Sequence, residues 1–368
     1  MCAKSVDDLV YLVSCLLNNT HTDSERVKAI DLKELYALAG KHSMRGITAF
    51  ALEHAGIHDE AFTAAKGQAI RKVVILSVER EKVLAELEQA GIWYMPMKGA
   101  VLKDYYPAIG MRESSDCDIL FDPSRAEDVR DIMTGLGFRV EEYGMFQHDV
   151  YFKPPVSNFE MHRKLFVLER YGKCYTYYMD TKRNLLKDTG NDYGYHYSLE
   201  DFYVYMIAHE YLHYAEGGTG LRSLVDAYVY VKKFGEVMDW EHVRRELAEL
   251  ELSDFEAKNR GLALRLFDCQ ALTDDDREML KYIADSGTYG NTENAVQNRL
   301  KAHPQGKLRY ILSRIFLSMN DIRDKYPFYY KHKYLIPFLP VHRIIRAVKK
   351  KDIALGEIRA VMKQKTSR

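Results

Sequence analysis

Two acidic residues interrupt an apolar run in Ser115-Asp116-Cys117-Asp118-Ile119-Leu120-Phe121, and their spacing restricts what this stretch can become. On a strand, residues two apart point the same way, so Asp116 and Asp118 share one face while Cys117 and Ile119 face the opposite layer. Two neighbouring carboxylates repel each other. A divalent cation relieves that repulsion, and hard oxygen donors of this kind suit Mg²⁺ or Mn²⁺.

Upstream, Gly91-Ile92-Trp93-Tyr94-Met95-Pro96-Met97 reads as a buried strand, which Lys98-Gly99-Ala100 breaks before a short helical stretch through Tyr105. A strand, a glycine turn and a helix start present backbone N–H groups to an anion, here with the Lys98 amine alongside. Downstream, Ser157-Asn158-Phe159-Glu160-Met161-His162 sets Glu160 between apolar neighbours, as on a strand beside the first. Asp116, Asp118 and Glu160 on adjacent strands would hold two metal ions that activate an acceptor oxygen and stabilise a leaving phosphate. Glu141, Glu142 and Asp149 are the substitutes for Glu160 as third ligand. Arg112 reads as a further phosphate ligand, because its fork matches phosphate oxygens.

The order of glycine turn, Asp-x-Asp strand and later strand acid resembles the DNA polymerase β-like nucleotidyltransferase superfamily. More closely, Met97-Lys98-Gly99-Ala100-Val101-Leu102, Tyr106-Pro107, Met111-Arg112 and Ser115 to Leu120 resemble a bacterial group of uncharacterised nucleotidyltransferases. In that group Lys-Gly replaces the superfamily's usual pair of small residues, and an Arg stands four residues before the first Asp. Phe159-Glu160-Met161-His162 resembles its acid-x-His strand, and Gly220-Leu221-Arg222-Ser223-Leu224-Val225-Asp226 a helical stretch with a recurring Arg and Asp. The similarity runs from about residue 30 to 350. Ala100 departs from the wider superfamily, which has a second small residue there. The resemblance implies transfer of a nucleoside monophosphate, AMP from ATP before other NTPs, to an acceptor hydroxyl with release of pyrophosphate. It implies Asp116, Asp118 and Glu160 as catalytic metal ligands, with Lys98, Gly99, Arg112, His162 and Arg222 binding the nucleotide. The acceptor stays open among a small molecule, a sugar, a protein and an RNA end.

Bulk properties set outer limits. A chain of 368 residues with 47% hydrophobic content builds a sizeable core in one large or two ordinary domains. Lys plus Arg and Asp plus Glu each total 53, which gives no whole-chain footprint for nucleic acid. Five cysteines without a Cys-x-x-Cys pair read as reduced cytoplasmic thiols. No run is long enough to span a membrane, and the acidic start does not read as a signal peptide.

Three regions follow from periodicity. Residues 1–90 read as helical, from positions such as Leu9, Leu12, Val13, Leu16 and Val73, Leu76, Val83, Leu87. Residues 91–198 read as an α+β core, with a helix at 123–136 and strands at 138–143, 148–153 and 157–162. Residues 199–368 return to helical spacing, broken at Gly217-Gly218, Gly235, Ser253, Gly287 and Pro304, as a helical domain closing over the core. Tyr171, Tyr175, Tyr177 and Tyr178 read as a wet aromatic rim, with base stacking as the alternative. Beyond Lys331 the chain is basic, through Lys333, His342, Arg343, Arg346, Lys349, Lys350 and Lys351. That tail reads as a solvated face, with peripheral contact to RNA, lipid or an acidic polymer as the alternative.

His209-Glu210-Tyr211-Leu212-His213 fits the zinc-protease pattern of two histidines one helical turn apart with a glutamate base. The continuation, Tyr214-Ala215-Glu216-Gly217-Gly218, lacks the extended signature. These histidines are therefore expected to line or buttress the nucleotide cleft. A zinc hydrolase and a non-catalytic nucleotide-binding module remain the competing functional classes. The alternative to a nucleotide-binding role for Arg222 is a pair with Asp226 one turn on.

Overall fold

The computed structural model describes residues 3–144, 147–167, 172–291 and 326–343, together with 294, 295, 298, 317, 319, 322 and 323. Its centre is a five-stranded mixed sheet: β1 (Tyr94–Pro96), β2 (Cys117–Phe121), β3 (Arg139–Glu142), β4 (His148–Lys153) and β5 (Ser157–His162), in the order β1-β2-β5-β4-β3. β2 and β5 run parallel, and the other neighbours are antiparallel. The expected strand 91–97 is shorter than its apolar run. Only Tyr94–Pro96 pairs with β2, because the chain then turns at Lys98.

Strand alternation sorts the sheet into two faces. Cys117, Ile119, Phe121, Phe159, Met161 and Tyr151 are buried on one face, in a cluster that takes Val83 and Leu87 from α5 (Glu60–Gln89) and Val129 and Met133 from α7 (Ala126–Gly135). The expected helix at 123–136 enters as a 3₁₀ turn, Pro123–Arg125, because Asp122 caps it and Pro123 supplies no N–H. Asp118, Leu120, Glu160, His162 and His148 occupy the other face, toward α9 (Leu199–Glu216).

The N-terminal helices share one core with helices from the second half of the chain. Leu9, Leu12 and Val13 of α1 (Ala3–Leu17) and Ile47 and Leu52 of α4 (Arg45–His54) are buried with Leu224 and Val225 of α10 (Leu221–Phe234). Leu262 of α12 (Ser253–Phe267) and Ile283 of α13 (Asp274–Ser286) belong to the same cluster. α9 breaks at Gly217-Gly218 and α10 ends at Gly235, as the sequence indicates. Pro304, Tyr171, Arg346 and Lys349 to Lys351 lie outside the described residues. Among the described residues, no helix is long and apolar enough to cross a membrane.

Candidate active site

The sheet brings the expected acids to one cavity. Parallel pairing puts Asp118 directly beside Glu160 on the α9-facing side, and Asp116 stands at the mouth, one residue before β2 begins. All three line a cavity of about 400 Å³, a size common for small-molecule sites. Asp118 is 3% exposed. Burial alone would raise its pKa, but the Lys98 charge and the hydrogen bond to His162 hold it well below the usual carboxylate range. Asp116 has the opposite balance: burial, then the charges of Asp118 and Glu160, push it up. This is the repulsion anticipated from the sequence, relieved at one acid by a lysine and left standing at the other.

Lys98 Nζ sits 2.9 Å from Asp118 Oδ1. Its backbone adopts φ 46°, ψ −118°, a left-handed conformation that is costly for a residue with a Cβ and is characteristic of functional sites. Within the turn, the Ala100 N–H donates to Met97, while those of Val101 and Leu102 donate to the Lys98 carbonyl. The expected backbone cradle is thereby reduced to what Lys98 and Gly99 present themselves. Gly99 has a steric reason as well. A Cβ there would stand 2.5 Å from Arg112 Nη1.

Arg112 departs from its expected role. Its Nε and Nη2 donate to the two carboxylate oxygens of Asp226 at 2.8 and 2.9 Å, a buried bidentate pair to which Tyr106 adds its hydroxyl at 2.6 Å. The fork is taken by protein, leaving Nη1 directed to Ser114. The alternative pairing of Arg222 with Asp226 does not form either. Arg222 Nη1 donates to the Glu113 carbonyl at 2.8 Å, and burial followed by the nearby Arg112 charge lowers its pKa.

The facing wall is α9. His209 and His213, one turn apart, bring their Nε2 atoms to 3.2 Å and line the same cavity. Burial and the Lys98 charge keep both neutral, His213 with a pKa of about 4. Glu210 lies about 100° further round the helix. There it accepts a hydrogen bond from Asn259 at 2.9 Å, so the glutamate of the zinc-protease pattern is held by α12 rather than set over the histidine pair.

His162 Nε2 bridges Asp118 Oδ1 at 2.9 Å and Glu160 Oε2 at 3.6 Å. His148, directly across the β4–β5 hairpin, adds Nδ1 at 3.5 Å from the same Glu160 oxygen. Among the described residues, the group whose ligand atoms all lie within 4.8 Å of one another is His148, Glu160 and His162. Asp116 and Asp118 are outside that group, Asp118 being engaged by Lys98 and His162. The donor chemistry of the acid wall still fits a hard divalent cation, since carboxylate oxygens crowd together and the Ser115 hydroxyl is the hydrogen-bond donor found on Asp116 among the described residues. His148 was absent from the sequence reading, although hairpin arithmetic identifies it: strands 148–153 and 157–162 joined by a three-residue turn pair 148 with 162.

Of the alternative third ligands, Asp149 is tied to Arg163 and to the Gly144 N–H, while Glu141 and Glu142 are exposed on the edge strand. Tyr177 and Tyr178 are neither rim nor platform. They are core residues, packed with Phe166 and Tyr205 and anchored through Tyr177 Oη on Glu246.

The family model of an uncharacterised nucleotidyltransferase matches residues 28–268, well over half of the chain and all of the site described here. No curated protein and no solved structure matches.

Proposed function

The chain belongs to this family of uncharacterised nucleotidyltransferases, and from that premise we propose that it moves AMP from ATP to an acceptor hydroxyl, releasing pyrophosphate. The observation that supports the reading best is Asp118 in register with Glu160 on one buried sheet face, with Asp116 beside them in the same cavity. Asp116, Asp118 and Glu160 would hold Mg²⁺. When bound, Mg²⁺ supplies positive charge that polarises the α-phosphate and eases loss of the acceptor's proton.

The protein's own groups position the reactants. Lys98 and Arg222 line the cavity as cations for triphosphate oxygens, and the neutral His209–His213 pair offers hydrogen bonds without adding charge. Transfer of this kind asks for alignment and charge stabilisation, not covalent chemistry. The surrounding burial strengthens each electrostatic contact by excluding water.

Asp118→Asn keeps the shape and removes the charge shared by Lys98 and His162. The variant should lose transfer by a factor of about 10² to 10³ or more, followed as label passing from each radiolabelled NTP to an extract fraction, in a protein that still unfolds in one cooperative step although loss of the Lys98 partner lowers its melting temperature. Undiminished turnover in a folded Asp118→Asn protein defeats the reading.

A further inference from the structure

The contacts of Glu160 with its two histidines are too long for good hydrogen bonds, at 3.5 Å from His148 Nδ1 and 3.6 Å from His162 Nε2. They are close to another spacing. Two ligands held by one ion at about 2.0–2.2 Å lie roughly 3.0–3.4 Å apart at tetrahedral to octahedral angles. His148 Nδ1 is also buried without a hydrogen-bond partner, a costly state for an imidazole nitrogen.

We propose that His148, Glu160 and His162 form a site for one divalent first-row transition cation, with zinc and cobalt preferred to manganese and magnesium excluded. The inference shares Glu160 with the transferase reading but stands on geometry that reading does not need.

The three ligands sit on one hairpin, whose register faces His148 to His162 with ring centroids 4.8 Å apart. Placement on strands limits the freedom of the set before any ion arrives. With the His162 Nε2 proton released and its hydrogen bond to Asp118 exchanged for the ion, two imidazoles and one carboxylate form a donor set for borderline cations, whereas Mg²⁺ prefers oxygen and retains water. The Lys98 charge opposes a nearby cation, but Asp116, Asp118 and Glu160 together offset it. The adjoining cavity leaves room for water or a phosphate oxygen to complete coordination. The site is distinct from the His209–His213 pair, which offers only two nitrogens and whose neighbouring glutamate is engaged by Asn259.

The test uses the full chain, stripped with a chelator and titrated with Co²⁺ while its visible absorption is recorded. One equivalent should bind, Zn²⁺ should displace it and millimolar Mg²⁺ should not. His148→Ala should weaken Co²⁺ binding by about tenfold or more, while His209→Ala should leave it intact. Because the alanine variant could fold poorly, pulsed electron paramagnetic resonance of one equivalent of Cu²⁺ in the His209→Ala protein, where the α9 pair is broken, provides a second measure, and nitrogen couplings from two imidazoles are expected. Absence of those couplings, equal displacement by Mg²⁺, or Co²⁺ loss in His209→Ala but not in His148→Ala overturns the site. A nitrogen-ligated ion without label transfer keeps the site and removes the transferase. Mg²⁺-supported transfer without such an ion does the reverse.

Discussion

Glu210 shows how far one residue's environment can depart from its motif. It is 6% exposed, and burial raises its pKa to about 7 despite the hydrogen bond from Asn259. Below pH 4.5 the carboxyl is protonated in both folded and unfolded chains and adds no pH dependence. Between 4.5 and about 7 only the unfolded chain ionises, so stability falls as pH rises, and above 7 the loss is complete. The span corresponds to about 3 kcal/mol. Glu210→Gln cannot ionise, so its stability relative to wild type should grow by that order from pH 4.5 to 7, measured by denaturant unfolding at each pH. A difference that stays flat across the window would contradict the buried-acid account. At this scale the sequence was a good guide to residue type and a poor one to partner. The Asp116–Asp118 pair and Glu160 were legible because strand alternation fixes a side chain's face. The Asp226 grip on Arg112 was not, because the two are 114 positions apart and nothing local links them.

Between elements, the Arg112–Asp226 pair is the joint that ties α10 to the loop entering β2. Tyr106 adds a third hydrogen bond from the segment after Gly99, so three separated parts of the chain meet on one buried carboxylate. Removing that carboxylate leaves a guanidinium in a site from which water is excluded. Asp226→Ala should therefore cost about 3–5 kcal/mol in equilibrium unfolding, and it should reduce transfer as well, since Arg112 packs against the Gly99 turn. A loss below about 1 kcal/mol would mean that the pair is solvated in solution. Strand positions at 139–142, 148–153 and 157–162 were legible from alternation and turn residues. Strand order was legible only in part. The acids placed Glu160 on a strand beside that of Asp116 and Asp118, as β5 lies beside β2, but the parallel sense of that pair and the positions of β1, β3 and β4 depend on which apolar faces find each other.

Across the whole molecule, periodicity divided the chain into three consecutive regions, whereas the hydrophobic core unites α1 and α4 with α10, α12 and α13. Helical spacing reports which face of a helix is buried but not against which partner. His42 stands at this junction. Fully buried after α3 (Leu32–Lys41), its Nδ1 accepts the Leu221 N–H that opens α10, while neighbouring Lys41 donates to the Ala284 and Asp285 carbonyls at the end of α13. Burial, reinforced by the Lys41 charge, lowers the His42 pKa to about 4. Above pH 6.5 the ring is neutral in both states. As pH falls from 6.5 toward 4 only the unfolded chain takes up the proton, so stability declines by about 3 kcal/mol and then levels off. This slope opposes that of Glu210 across their common window. His42→Gln retains an acceptor for Leu221 and cannot protonate. Its stability relative to wild type should rise as pH falls from 6.5 to 4, whatever its offset at neutral pH. His148 and His213 titrate low in both proteins and cancel in that comparison. If paired unfolding curves keep a constant gap down to pH 4, His42 is already protonated or solvated in the native state, and the contact joining the N-terminal helices to α10 is looser than its hydrogen bond to Leu221 implies.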